Sequence, residues 1–216
     1  NSTLDLTTDS VLSLATSNGA ISVNQTIHSG IGAITISAAN GLNLSEAADI
    51  TSTGGALTLN AASGALTMND QTVVNAGAGQ VLLVANNDIT LGKISSTYQG
   101  DFTVTATNGE IVDSGDGQLD INAINANLVM SSASGIGSSD TLEVNVASLD
   151  LRNTGTTGNI QLENQSALTI SQVQQSATGQ TNISTIDGSM IINGTGITAT
   201  TGSVFLYAAG PSSSIN

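Results

Sequence analysis

The chain contains no cysteine, so its stability owes nothing to disulfides, and thiolate metal sites and cysteine nucleophiles are excluded. It contains no tryptophan, only two phenylalanines and two tyrosines, and a single proline. Basic residues are almost missing: Lys93 and Arg152 stand against 16 carboxylates, for a formal net charge of −14. A nucleic-acid surface must neutralise phosphates with lysine and arginine, so no nucleic-acid partner is expected. Binding to anionic lipid is disfavoured on the same ground. No apolar run approaches the roughly 20 residues of a membrane-spanning helix, so no membrane insertion is expected. The start, Asn1-Ser2-Thr3, shows neither a basic segment nor an apolar segment of a targeting peptide. The chain therefore reads as a piece of a longer protein.

Hydrophobic residues make up 39% of the chain, chiefly isoleucine, leucine and valine, beside 24 glycines. That hydrophobicity is too high for a disordered chain, and the residue types suit strands. A short motif recurs: glycine, any residue, apolar, polar, apolar. It reads Gly19-Ala20-Ile21-Ser22-Val23, Gly32-Ala33-Ile34-Thr35-Ile36, Gly55-Ala56-Leu57-Thr58-Leu59 and Gly79-Gln80-Val81-Leu82-Leu83. Gly100-Asp101-Phe102, Gly117-Gln118-Leu119-Asp120-Ile121, Gly158-Asn159-Ile160 and Gly202-Ser203-Val204 continue it. Shorter copies follow about nine residues later, as at Gly41-Leu42-Asn43-Leu44 and Gly64-Ala65-Leu66-Thr67-Met68. A third stretch, such as Asp49-Ile50-Thr51, completes the unit.

Alternation over three to five residues marks a strand with one buried face. The return of the motif every 21 to 24 residues over the best part of the chain, at Gly32, Gly55, Gly79 and Gly100 and again at Gly158, Gly179 and Gly202, argues against a sandwich and for a solenoid whose coils each hold three short strands. The predicted fold is all-β: a right-handed parallel β-helix (β-solenoid) of roughly nine coils, about 45 Å long at one strand spacing per coil. Like residues then stack inward, Ile34, Leu57, Val81 and Phe102 in one column and Ile36, Leu59, Leu83 and Val104 in the next. Scarce proline fits, because an interior ladder needs every N–H. Residues 1–216 are expected to form a single solenoid segment, with irregular coils from about 122 to 157, where serine and asparagine replace the corner glycines. Neither end carries a polar capping unit, so a rod cut from a longer one, or stacking end to end, is expected.

From Thr107 to Leu168 the repeats take a familiar form. Asn108-Gly109-Glu110-Ile111-Val112-Asp113-Ser114-Gly115, Gly135-Ile136-Gly137-Ser138-Ser139, Ser148-Leu149-Asp150-Leu151-Arg152-Asn153-Thr154-Gly155 and Gly158-Asn159-Ile160-Gln161-Leu162-Glu163-Asn164 resemble the repeats of very large bacterial surface proteins of the filamentous-haemagglutinin type. The resemblance implies a secreted β-helical shaft displayed on the bacterial cell surface, used in adhesion or in forming a matrix. No binding residues of that family match, and none is carried over.

No residue is assigned a catalytic, cofactor-binding or metal-binding role. His28, the only histidine, sits in Ile27-His28-Ser29-Gly30 at an expected turn, without a nucleophile motif, and reads as an ordinary exposed side chain. Asp113, Asp116 and Asp120 crowd one glycine-containing turn. Calcium takes several oxygen ligands on such a turn. The calcium-loop spacings are absent, however, and a solvated acidic corner is the plainer reading. Paired carboxylates for sugar cleavage are conceivable in a β-helix, but aromatic platforms and basic residues are too few to favour them. The outward series Ser22, Thr35, Thr58, Leu82, Thr103, Asp120, Gln161, Phe205 is no regular threonine array for ice or mineral. Asn-x-Ser/Thr triplets at Asn24, Asn43, Asn164 and Asn182 are no more frequent than chance predicts.

The expected function is that of a non-enzymatic extracellular adhesin shaft, making weak, multivalent contacts with other cells or with surface glycans and proteins. A self-assembling extracellular filament or matrix protein is the alternative, its coils stacking on those of an identical chain. A β-helix polysaccharide-degrading enzyme is the lesser rival.

Overall fold

The computed structural model describes residues 4–6, 9–115 and 117–216, with the backbone alone for 4–6. Among the described residues there are 22 strands and no helix, and the strands wind as a parallel β-solenoid of about nine turns. Three faces recur. The first carries Leu12–Ala15, Ile34–Ala38, Leu57–Ala61, Val81–Ala85 and Asp101–Ala106. The second carries Ile21–Val23, Leu42–Leu44, Leu66–Met68, Ile89–Leu91 and Ile111–Asp113. The third carries Leu4–Leu6, Ile27–Ser29, Ile50–Ser52, Val73–Asn75 and Lys93–Ser95.

The register is like on like. Ile34 lies against Leu57 and Leu57 against Val81, while Phe102 lies against Leu128 and Leu128 against Leu149. Leu59, Leu83, Val104 and Met130 continue the neighbouring column. These side chains are fully buried. At about 25 cal/mol per Å², each large aliphatic stabilises the rod by roughly 1.5–3 kcal/mol. The expected inward columns are therefore present.

Close coil spacing explains part of the glycine ladder. A Cβ on Gly55 would strike the carbonyl of Gly32, and one on Gly79 the carbonyl of Gly55. The corner from third face to first is closed from inside. Ser52 Oγ donates to the carbonyl of Gly30 at 2.9 Å and accepts the N–H of Gly55 at 2.8 Å. Ser96 Oγ donates to the Gly79 carbonyl at 2.8 Å and accepts the Tyr98 N–H at 3.0 Å. Buried hydroxyls thus satisfy backbone groups that a corner would otherwise leave unpaired.

Two readings of the motif need correction. The glycine-led segments at 32, 55, 79 and 100 open the first face, whereas those at 158, 179 and 202 belong to the second, following Ile136 through the bridge to Ile160. They are two ladders, and Ser22, Asp120, Gln161 and Phe205 accordingly leave the outward column of Thr35, Thr58, Leu82 and Thr103. The segment beginning at Gly117 is also no first-face strand. Residues 117–120 are loop, and Ile121 opens a strand of the third face, against Ile94.

That loop begins the widest coil. Ile94 and its register partner Ile121 are 27 residues apart and Asp101 and Asn127 are 26 apart, against 20 to 25 between partners elsewhere among the described residues, such as Val73 with Lys93 and Ile111 with Ile136. From here the corner between third and first faces disappears into the 12-residue strands Ile121–Ser132 and Leu142–Asn153, with a bulge between Ala123 and Asn127. A bulge absorbs extra residues while the ladder continues on both sides.

Candidate functional site

The departures from regularity gather beside the loop that joins Ile111–Asp113 to Ile121–Ser132. On the second face, the inward column reads Val23, Leu44, Met68, Leu91, and then Asp113. A carboxyl group thus occupies the place of an aliphatic side chain. It is 7% exposed, and neither of its oxygens receives a hydrogen bond from a donor of the fold.

Asp120, 3% exposed, returns the chain from the loop and faces Asp113. Its Oδ2 accepts the N–H of Glu143 at 3.1 Å. Burial first, then the hydrogen bond to Asp113 and the charge of Asp113, push the Asp120 carboxyl up to about 9; the Glu143 N–H opposes this, and the Glu143 charge adds to it. Two like charges in contact in a dry corner cannot both persist. At neutral pH Asp120 is protonated and donates to Asp113, which supplies the donor that Asp113 otherwise lacks.

Glu143 sits on the next coil, its N–H bonded to Asp120, and Glu163 follows it in register. Burial, then the charges of Asp113, Asp140 and Glu163, raise Glu143 to about 7, against the pull of its own backbone N–H. Its Oε2 is buried without a partner. Glu143 and Glu163 line a small cleft of about 150 Å³, walled by Gly117, Leu119, Gln165 and Ile186.

On the other side of the same loop lies a larger groove of about 450 Å³. Its floor is the outward side of the third face, with Val73, Lys93, Ser95 and Asn122, and its wall is Gln118 and Leu119. It runs on into a hollow of about 210 Å³ edged by Asn75, Thr97 and Ile124. Lys93 makes no ion pair among the described residues. The other cation is engaged: Arg152 forms two hydrogen bonds to Asp150, at 3.1 and 2.9 Å, and one to Gln172 at 3.0 Å.

Asp113, Asp116 and Asp120 were expected as a solvated corner. Asp113 and Asp120 are instead buried and in contact, because the loop folds them against the core; Asp116 lies outside the described residues. Among the described residues no three carboxylate or imidazole groups converge on one ion position. His28 occupies the strand Ile27–Ser29 rather than a turn, its Nδ1 2.7 Å from Thr51 Oγ1. Asn164 is fully buried and closed to glycan attachment: its amide donates to the carbonyls of Ser166 and Val146 at 2.8 and 3.3 Å, and its oxygen accepts the Val146 N–H at 2.9 Å. The roles of Glu143 and Lys93 were not read from sequence. One signal was there to be used: Val112-Asp113 aligns with Thr90-Leu91, which sets a carboxyl at an inward position.

By fold the chain is a parallel β-solenoid, a repeat protein in which each coil contacts its neighbours. No protein-family model, curated protein or solved structure matches it.

Proposed function

We propose that the chain is a non-catalytic shaft segment of a large, secreted bacterial surface adhesin, which spans distance and presents adhesive contacts to other cells. The observation that carries this reading is the continuous stacking of about nine coils, each hydrogen-bonded to the next. Such a stack is stiff, and grows by about 4.8 Å for every added coil. Its outer side chains also form ladders between coils. Asn108 donates to Asn86 at 2.9 Å, Asn60 to Ser37 at 3.0 Å, and Ser148 to Asn127 at 2.8 Å. These surfaces offer many equivalent hydrogen-bonding groups and few anchors, which suits weak, multivalent contact. Electron microscopy of the purified chain, with measurement of its retention on cell surfaces, tests the reading. Single short rods that bind cells when clustered on beads are expected. Regular filaments would favour the structural alternative, and clustered rods that bind no surface would count against adhesion.

Polysaccharide cleavage is a second reading, favoured by one observation. Glu143, raised to about 7 and lining a cleft beside Glu163, has the protonation behaviour of a general acid at neutral pH. Incubation with acidic and neutral polysaccharides checks it; cleavage abolished by Glu143→Gln would replace the shaft reading.

A further inference from the structure

We propose that the groove walled by Gln118 and Leu119 binds a sugar unit bearing a single carboxylate, of the uronic acid type, with Lys93 holding the carboxylate and Ser95 and Asn122 the ring hydroxyls.

The groove has the size of a small-molecule site: its 450 Å³ lies within the range of about 300–1,000 Å³ typical of such sites, and the adjoining hollow extends it. Its charge is the unusual feature. The chain has 16 carboxylates and two basic side chains, and one of those two, Arg152, is engaged by Asp150. Lys93 has a carboxylate for its register neighbour, since Ile94 pairs with Ile121 and therefore Lys93 with Asp120. Yet Asp120 turns its carboxyl inward to Asp113, and Lys93 is left to the groove. Lys93, half-buried and with no ion-pair partner among the described residues, offers an anion subsite.

The surroundings narrow the anion. Ser95 and Asn122 are register partners, and Asn75 precedes them in the same column. They give a row of neutral donors and acceptors at the strand spacing of about 4.8 Å. Val73, Leu119 and Ile124 add apolar surface on which the C–H faces of a pyranose ring pack. Beyond the loop stand Glu143 and Glu163, which repel a second negative charge. A ligand with one carboxylate among neutral hydroxyls fits this distribution; a densely charged polyanion does not. An extended peptide is disfavoured because the floor has no free strand edge. Val73–Asn75 is paired on both sides, with Ile50–Ser52 and Lys93–Ser95, and the latter is paired again with Ile121–Ser132. Strand addition, the main-chain mode of peptide capture, is thereby blocked.

Binding at this groove is separable from the shaft role, since a filament subunit would carry the same pocket. The test is an NMR titration of the isotope-labelled chain with a trisaccharide that contains one glucuronate between neutral sugars. Its methyl ester and a short peptide ending in a free carboxylate serve as comparisons. The expected result is saturable shifts at the amides of Lys93, Ser95 and Asn122, and affinity about tenfold weaker for the ester. Loss of one charge-assisted hydrogen bond accounts for a change of that size. Lys93→Gln should lose the preference for acid over ester, and Lys93→Arg should keep it. Equal binding of acid and ester, shifts confined to other faces, no shifts at millimolar ligand, or tighter binding of the peptide would each overturn the proposal.

Discussion

Replacing Asp120 by asparagine should make the protein more stable at neutral and alkaline pH, and should flatten its stability profile. The fold holds the Asp120 carboxyl at about 9, against an ordinary value of 3.8. The folded state therefore binds more protons than the unfolded state between those limits. Its stability is highest at the acid end and falls as the pH rises through the window, because unfolding gains whenever the fold must hold a proton that water would remove. At pH 7 the gap from 3.8 corresponds, at about 1.36 kcal/mol per pH unit, to roughly 4 kcal/mol of destabilisation at most; coupling to Asp113 makes about 2–4 kcal/mol the expected range. Asparagine has nearly the same shape, donates to Asp113 in place of the protonated acid, and has nothing to ionise when unfolded. Thermal unfolding followed by circular dichroism from pH 4 to pH 9 is the assay. At about 2–4 °C per kcal/mol for a chain of this size, the variant should melt roughly 5–15 °C above the parent near pH 8 and at nearly the same temperature near pH 4. Glu143, raised from 4.5 to about 7, leaves a residual slope of the same sign below neutrality in both proteins. Parallel profiles, or a variant that melts lower at pH 8, would refute the shared-proton arrangement.

Three further outcomes are expected. Gly55→Ala should destabilise by about 1–3 kcal/mol, because the new methyl strikes the coil beneath. Gly117→Ala, with no atom within 4 Å of its new methyl, should be tolerated, and paired urea melts distinguish the two. Asn164→Ala should cost roughly 2–4 kcal/mol by urea unfolding, since it strands the Val146 N–H and two carbonyls in a buried corner. Arg152→Ala should change stability by less than about 1 kcal/mol, its pair with Asp150 being open to solvent, and should lose even that dependence in high salt.

The solenoid and its two stacked aliphatic columns were legible in the sequence because both signals are local and periodic. Alternation declares a one-faced strand, and the regular return of Gly32, Gly55 and Gly79 declares coils of nearly equal length. A constant coil length is what lets Ile34 and Leu57 be paired without coordinates. Where that length changes, the inference stops: Asp101 pairs with Asn127 across 26 residues, so the sequence alone offered no way to set Gly158 on the second face rather than the first. The buried pairing of Asp113 with Asp120, the place of Glu143 on the next coil and the release of Lys93 into the groove all depend on how one loop folds back onto the rod. The periodic chemistry of the chain set the rod. The position of those few charges was decided by tertiary contact, since only the return of the chain at Asp120 buries its carboxyl against that of Asp113.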